Sequence, residues 1–137
     1  MGNCNEVGAC VGETTWTGSH LLSSVPQTGS MIDYGSLMFI ALQRSKTARE
    51  AIDTMTSLLD KYGYYSKGET FSIVDEQEAW VMDVIGRGPD LIGAVWVARR
   101  IPDGYILVHA NHAKITTFPL NDPENCVYSK DVISLAR

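Results

Sequence analysis

No apolar run in the sequence approaches the roughly 20 residues that a membrane-spanning helix needs. Residues 1–30 are mostly polar and show no basic start leading into an apolar block, so no signal peptide is read. Basic charge is also scarce: Lys and Arg total 11 against 16 Asp and Glu, a net charge of −5. That argues against nucleic acid as a partner, because a phosphate backbone calls for a cationic surface. Cysteine is rare. Cys4, Cys10 and Cys126 are an odd number without CxxC spacing, which favours free thiols in a reducing compartment, and so a cytoplasmic location, over a disulfide framework. A zinc set drawn from His109, His112 and Cys126 lacks a fourth ligand, so no metal and no cofactor is assigned. Internal repeats and low-complexity segments are absent. What is present, 137 residues of which 45% are hydrophobic and 20% charged, is the composition of one globular domain with a real core.

Residues 7–13 read as a short strand of small residues, with Asn5-Glu6 in the turn before it. Residues 14–33 read as a loop, and Glu13 to Trp16, where strand passes into loop, are placed to line a pocket. Ser36 to Arg44 predicts a helix from apolar residues at i, i+3 and i+4. The next helix has the clearest pattern. Thr47 with Glu50 forms a capping box, Ala48, Ala51, Ile52, Met55, Leu58, Leu59 and Tyr62 make one apolar stripe, and Gly63 ends it as a left-handed residue would. That stripe is core rather than a ligand site.

From Gly68 the period changes to two. Glu69–Val74 and Ala79–Ile85 predict strands joined by a hairpin at Asp75–Glu78. Trp80, Met82 and Val84 face one way and Val81, Asp83 and Ile85 the other, so the sheet is covered on both sides. Ala94–Ala98 is a third strand followed by Arg99 and Arg100, which either meet a substrate carboxylate or are solvated. Pro102-Asp103-Gly104 then turns the chain into a fourth strand, Tyr105–Val108, ending in the polar cluster His109-Ala110-Asn111-His112. Polar side chains at a strand end are a common place for chemistry, because a rigid element holds them and the loop admits substrate. Ser129 to Arg137 begins a helix that Ser129 caps. Helices segregated from an antiparallel meander give an α+β class. Both ends are abrupt, so residues 1–137 are expected to be a single partial domain cut at each end.

Several blocks, in order, carry a resemblance: Asn5-Glu6 leading into Val11-Gly12-Glu13-Thr14-Thr15, then Lys46 to Ile52, Phe71 to Asp75, Glu78 to Asp83, Gly93 to Ala98, Arg100 to Gly104, and His109-Ala110-Asn111. Together they resemble the cysteine dipeptidases of the N-terminal nucleophile (Ntn) hydrolase superfamily, from about residue 5 to 137. The resemblance implies an αββα fold, two antiparallel sheets packed face to face with helices outside. It also implies a cysteine-type peptidase acting on dipeptides, with an N-terminal thiolate as nucleophile and its own α-amine as base.

The two oxyanion donors of such enzymes map to Asn5 and Asn111. His109, His112, Thr15 and Trp16 become candidates for binding a dipeptide, the histidines being alternatively satisfied polar groups beside the site. The nucleophilic cysteine with its nearby Arg and Asp is expected upstream of Met1. Cys4, beside Asn5, is a poor substitute; Cys10 is expected in the core and Cys126 in a loop. The same scaffold also suits an Ntn amidase or acylase acting on other amides, or a non-catalytic remnant serving as a binding module. A homo-oligomer is compatible with each.

Overall fold

The computed structural model describes residues 2–22 and 29–135. Two helices form where the chain offers both a cap and a periodic apolar face. Helix α1 (Tyr34–Arg44) begins behind Asp33, whose carboxylate accepts from the Ser36 amide at 3.0 Å. The start is two residues earlier than expected because the cap is this aspartate. Helix α2 (Ala48–Tyr62) is capped by the Thr47 hydroxyl, which accepts from the Glu50 amide at 3.2 Å, while Glu50 reaches back to the Lys46 amide at 2.7 Å. Gly63 closes α2 by donating to the Leu59 carbonyl. Its φ is +71° as foreseen, but its ψ of 160° sends the chain away extended rather than left-handed. A Cβ there would collide with Ser30 and Ile92, so space and backbone both require glycine.

Six antiparallel strands form one sheet whose spatial order equals chain order: β1 (Gly2–Cys4), β2 (Cys10–Trp16), β3 (Gly68–Val74), β4 (Ala79–Gly86), β5 (Ala94–Ile101) and β6 (Cys126–Tyr128). Thr15 lies opposite Glu69, Ser72 opposite Val81, and Val81 opposite Arg99. Alternation along the strands then fixes two faces. One carries Val11, Phe71, Ile73, Trp80, Met82 and Val84, buried under Leu37, Met38, Met55 and Leu59 of the helices. The other carries Ile85, Val95, Val97 and Cys126, packed beneath Trp16, Ile115, Phe118 and Val132 of the short helix α3 (Val132–Leu135). The division of β4 into two apolar faces is therefore as the alternation predicted.

Several expectations are corrected. The strand expected at 7–13 is Cys10–Trp16, with Gly2–Cys4 as an unforeseen strand before it, because Asn5 to Ala9 close a turn through the Asn5 N–H to Ala9 carbonyl bond of 2.9 Å. Arg99 and Arg100 lie inside β5, not beyond it. The turn at Pro102–Gly104 forms, with the Tyr105 amide 3.1 Å from the Pro102 carbonyl, but Tyr105–Val108 is not a strand. The edge of β5 that it would need is taken by β6, in register Ala98 to Val127. Residues 105–118 instead run as an irregular strap across the second face, with Ile106 91% exposed. The last helix is only Val132–Leu135, and the Ser129 hydroxyl accepts from the Trp96 amide rather than capping it. Positions 136 and 137 of that expected helix, and part of the 14–33 loop, lie outside the described residues.

Cys4 and Cys10 are not free thiols: they are joined as a disulfide across the β1–β2 hairpin. The argument for a reducing, cytoplasmic compartment loses its basis. Cys126 is free, but it is a buried residue of β6 rather than a loop residue. Among the described residues, no helix is long and apolar enough to cross a membrane.

Candidate active site on the strap-covered face

The strap is held to the sheet by polar side chains that parity places on its second face. Thr14 donates to the Ala110 carbonyl at 2.9 Å, which spends its single hydrogen. Its 2.7 Å contact with His109 must then be donated by Nδ1–H of the ring. That leaves the His109 Nε2 lone pair to accept from the Ser72 hydroxyl at 2.6 Å. Burial lowers the His109 pKa from its ordinary 6.5, with the Lys114 charge acting in the same direction against the carboxylates of Asp83 and Glu13. The ring is thus neutral at pH 7, its tautomer set by hydrogen accounting.

Asp83 holds the other end of the strap. Its Oδ2 accepts from the Lys114 and Ile115 amides, each at 2.7 Å, and its Oδ1 accepts from Thr70 at 2.5 Å. Thr70 in turn accepts from the Trp16 indole at 2.9 Å. Trp16 lies flat over Gly68, where any Cβ would run into its ring. So Trp16 is placed in the wall between strap and sheet.

Asn111 is exposed at the bend of the strap, its carboxamide donating to the Thr15 carbonyl at 2.6 Å. Among the described residues that is its one side-chain bond, so a second N–H remains for another acceptor. Asn5 is differently placed. Both of its N–H groups are committed, to the Leu42 carbonyl at 2.9 Å and the Ser45 carbonyl at 2.8 Å, and its oxygen accepts from the Val7 and Ala9 amides. Asn5 adjoins Ala9, whereas Asn111 adjoins Thr15. Six residues of extended chain between those two neighbours is about 20 Å. The structure does not bring the two asparagines to one oxygen atom. His112 is exposed, and its ring makes no hydrogen bond among the described residues. Thus His109, Asn111 and Trp16 gather on the strap side, and Asn5 stands apart.

Thr15 faces the helices, not the strap, and leads to a pair that parity alone could have flagged. Its hydroxyl donates to Glu69 at 2.6 Å. Glu69 is completely buried on the same face as Phe71 and Ile73, and Tyr64 contacts its other oxygen at 3.3 Å. Burial, then a hydrogen bond shared with Glu13, raises the Glu69 pKa to about 8. Burial works to raise the Glu13 pKa, but the bond to Glu69 leads the effects that hold it below its ordinary value. The pair therefore shares one proton at neutral pH. A glutamate on the apolar parity of β3 was the available signal.

Comparison with known proteins agrees with the resemblance. The sequence model of peptidase family C69 matches residues 2–137. The probable dipeptidase A of Streptococcus pyogenes serotype M1 is 33% identical over 121 residues, covering 88% of this chain and 24% of that protein. A probable dipeptidase of Latilactobacillus sakei is 27% identical over 130 residues, covering 95% of this chain and 26% of the relative. Dipeptidase A of Lactobacillus helveticus is 33% identical over 90 residues, covering 65% and 17%. The chain spans about a quarter of the length of the first two relatives and less of the third. With a match that runs through every strand and helix described above, the chain belongs to peptidase family C69.

Proposed function

We propose that this chain forms one wall of a cysteine-type dipeptidase of the Ntn-hydrolase kind, with the strap-covered face of its sheet turned toward the substrate. What carries the reading is the family match over residues 2–137, shared with relatives called dipeptidases. Asn111 supports it chemically: one carboxamide hydrogen is fixed on Thr15 and the other is unspent, so a positioned donor is available to a tetrahedral oxyanion. Asn5 serves in this reading as an anchor of the α1–α2 connection rather than as the second donor. The nucleophile is none of the three cysteines, since Cys4 and Cys10 are bonded to each other and Cys126 is 2% exposed. The second sheet of an αββα sandwich would lie against the strap-covered face, which already presents apolar residues there. His109, neutral and hydrogen-bonded to Ser72, would receive or pass a proton beside the bound dipeptide.

The test is the protein purified from its source, with intact mass and N-terminal sequence determined first, followed by hydrolysis of unblocked dipeptides with and without iodoacetamide. A product beginning with cysteine and inactivated by the alkylating agent is expected. Asn111→Ala should then lower kcat by about 100-fold or more with KM little changed. Activity that survives alkylation, or an Asn111→Ala enzyme of unchanged kcat, would overturn the assignment. Hydrolysis of N-acylated amides but not of dipeptides would move the reaction to the acylase branch.

A further inference from the structure

Between the strap and strands β4 and β5 lies a cavity of about 200 Å³ whose chemistry is unusual for this acidic chain. Its floor and sides are Val81, Ile101, Leu107 and Ile115, and its charged members are Arg99 and Lys114. No carboxylate lines it. Arg100, the neighbouring guanidinium, is engaged by Glu78 and Asp103 on the other side of the strand. Arg99 instead gives one Nη hydrogen to the Thr117 carbonyl at 2.9 Å. Among the described residues neither Arg99 nor Lys114 has an acidic partner within ion-pair distance. Asp83 of β4, which meets the strap at this point, spends its Oδ2 on the Lys114 and Ile115 backbone amides. Two cations above an apolar floor are complementary to an anion that carries a hydrocarbon side chain.

We infer that this cavity is the subsite for the C-terminal residue of the substrate, with Arg99 and Lys114 binding its α-carboxylate and Val81, Leu107 and Ile115 accepting an apolar side chain. The inference rests on the dipeptidase reading above and names its substrate class: dipeptides with a free carboxylate and an apolar second residue. Cavity size sets a limit. At about 200 Å³ it is smaller than the range typical of sites for drug-sized ligands, so it takes one residue rather than a longer peptide. Position agrees as well. Ser72, Val81 and Arg99 stand in one cross-strand row, which puts the Arg99 backbone about 10 Å from that of Ser72. One residue of extended substrate covers about 3.5 Å of that span, and the arginine side chain reaches inward over part of the rest. A carboxylate fixed at Arg99 would thus direct the preceding peptide bond toward the His109–Ser72 side of the face. Arginine is suited to the task because its planar fork matches a carboxylate at two points.

The experiment is a binding titration of the intact chain, followed by amide NMR shifts, with N-acetyl-leucine as carboxylate probe and N-acetyl-leucinamide as its neutral twin. N-acetyl-leucine should saturate with a dissociation constant of roughly 1 mM, as suits so small a contact. Its shifts should centre on Arg99, Lys114 and Ile115 and weaken with salt. The amide should bind at least tenfold more weakly. Arg99→Gln should lose the same factor, Arg99→Lys should fall between the two because it keeps the charge but not the two-point fork, and Lys114→Gln gives a second measurement independent of the Thr117 contact. Equal binding of acid and amide, shifts centred elsewhere, or full affinity in both Gln variants would overturn the inference. Because hydrolysis is not the readout, binding without peptidase activity would sink only the functional reading. Peptidase activity with no carboxylate preference would sink only this subsite.

Discussion

Replacing Glu69 by glutamine should stabilise the protein, and more so as pH rises. Glu69 is fully buried and its pKa is raised from the ordinary 4.5 to about 8 by burial and by Glu13. A carboxyl whose folded pKa exceeds its unfolded one contributes fully below pH 4.5. That contribution is lost as pH climbs through about 8, because the unfolded chain releases the proton first. The gap, at about 1.4 kcal/mol per pH unit, amounts to about 5 kcal/mol above pH 8 and about 3 kcal/mol at pH 7, both upper bounds. Glu13 works with the opposite sign: its pKa is lowered, so its contribution is present above 4.5 and lost as pH falls. Glutamine keeps an oxygen for the Thr15 hydroxyl and supplies an N–H toward Glu13, so the shape of the pair survives.

The assay is urea unfolding from pH 4 to 9. With an m-value near 1.5 kcal/mol/M, the midpoint of Glu69→Gln should exceed that of the parent at pH 7, by at most about 2 M. The difference should vanish near pH 4. A parent whose stability is flat between pH 5 and 9, or a variant destabilised equally at every pH, would refute the shared-proton description.

Asn5→Ala should cost about 2–4 kcal/mol, because it strips two donors from the Leu42 and Ser45 carbonyls and leaves the Val7 and Ala9 amides unpaired; a urea midpoint unchanged from the parent would contradict that anchoring role. Asp83→Ala should release the strap locally, raising amide exchange at Lys114 and Ile115 by tenfold or more while the β3–β4 core stays protected. Gly68→Ala should cost about 1–3 kcal/mol and shift the fluorescence of Trp16, since the new methyl displaces the indole from its place over β3.

What was legible in the sequence was local or periodic. The Thr47 cap, the α2 stripe and the two faces of β4 depend on neighbours within four residues, and each is found where the pattern put it. Some failures were local, as at the Asp33 cap and the Asn5–Ala9 turn; the others turn on which strands pair. Tyr105–Val108 has the composition of a strand, but a strand also needs a free edge, and Val127 had already claimed that of β5. Cys4 and Cys10 pair because β1 and β2 bring them opposite each other, which spacing alone does not reveal. The candidate site divides in the same way. The sequence offered His109, Asn111 and His112 as one polar cluster and Trp16 separately as pocket lining. Their partners Ser72 and Thr70 are ordinary strand residues until the register sets them under the strap.

The sheet also dictates an order of assembly. Each neighbouring pair of strands from β3 to β6 is joined by a connection of at most a few dozen residues, and β1 with β2 by a turn. The pairing with the longest intervening connection is β2 with β3, where residues 17–67, including both long helices, lie between Trp16 and Gly68. Closing so large a loop is the entropically slow contact in this topology. Thr14 and Thr15 lie on one side of that seam, Ser72 and Glu69 on the other. The contacts of Thr14 with His109 and of Thr15 with Glu69 therefore depend on that closure, whereas Ser72 can meet His109, and Asp83 the strap, without it.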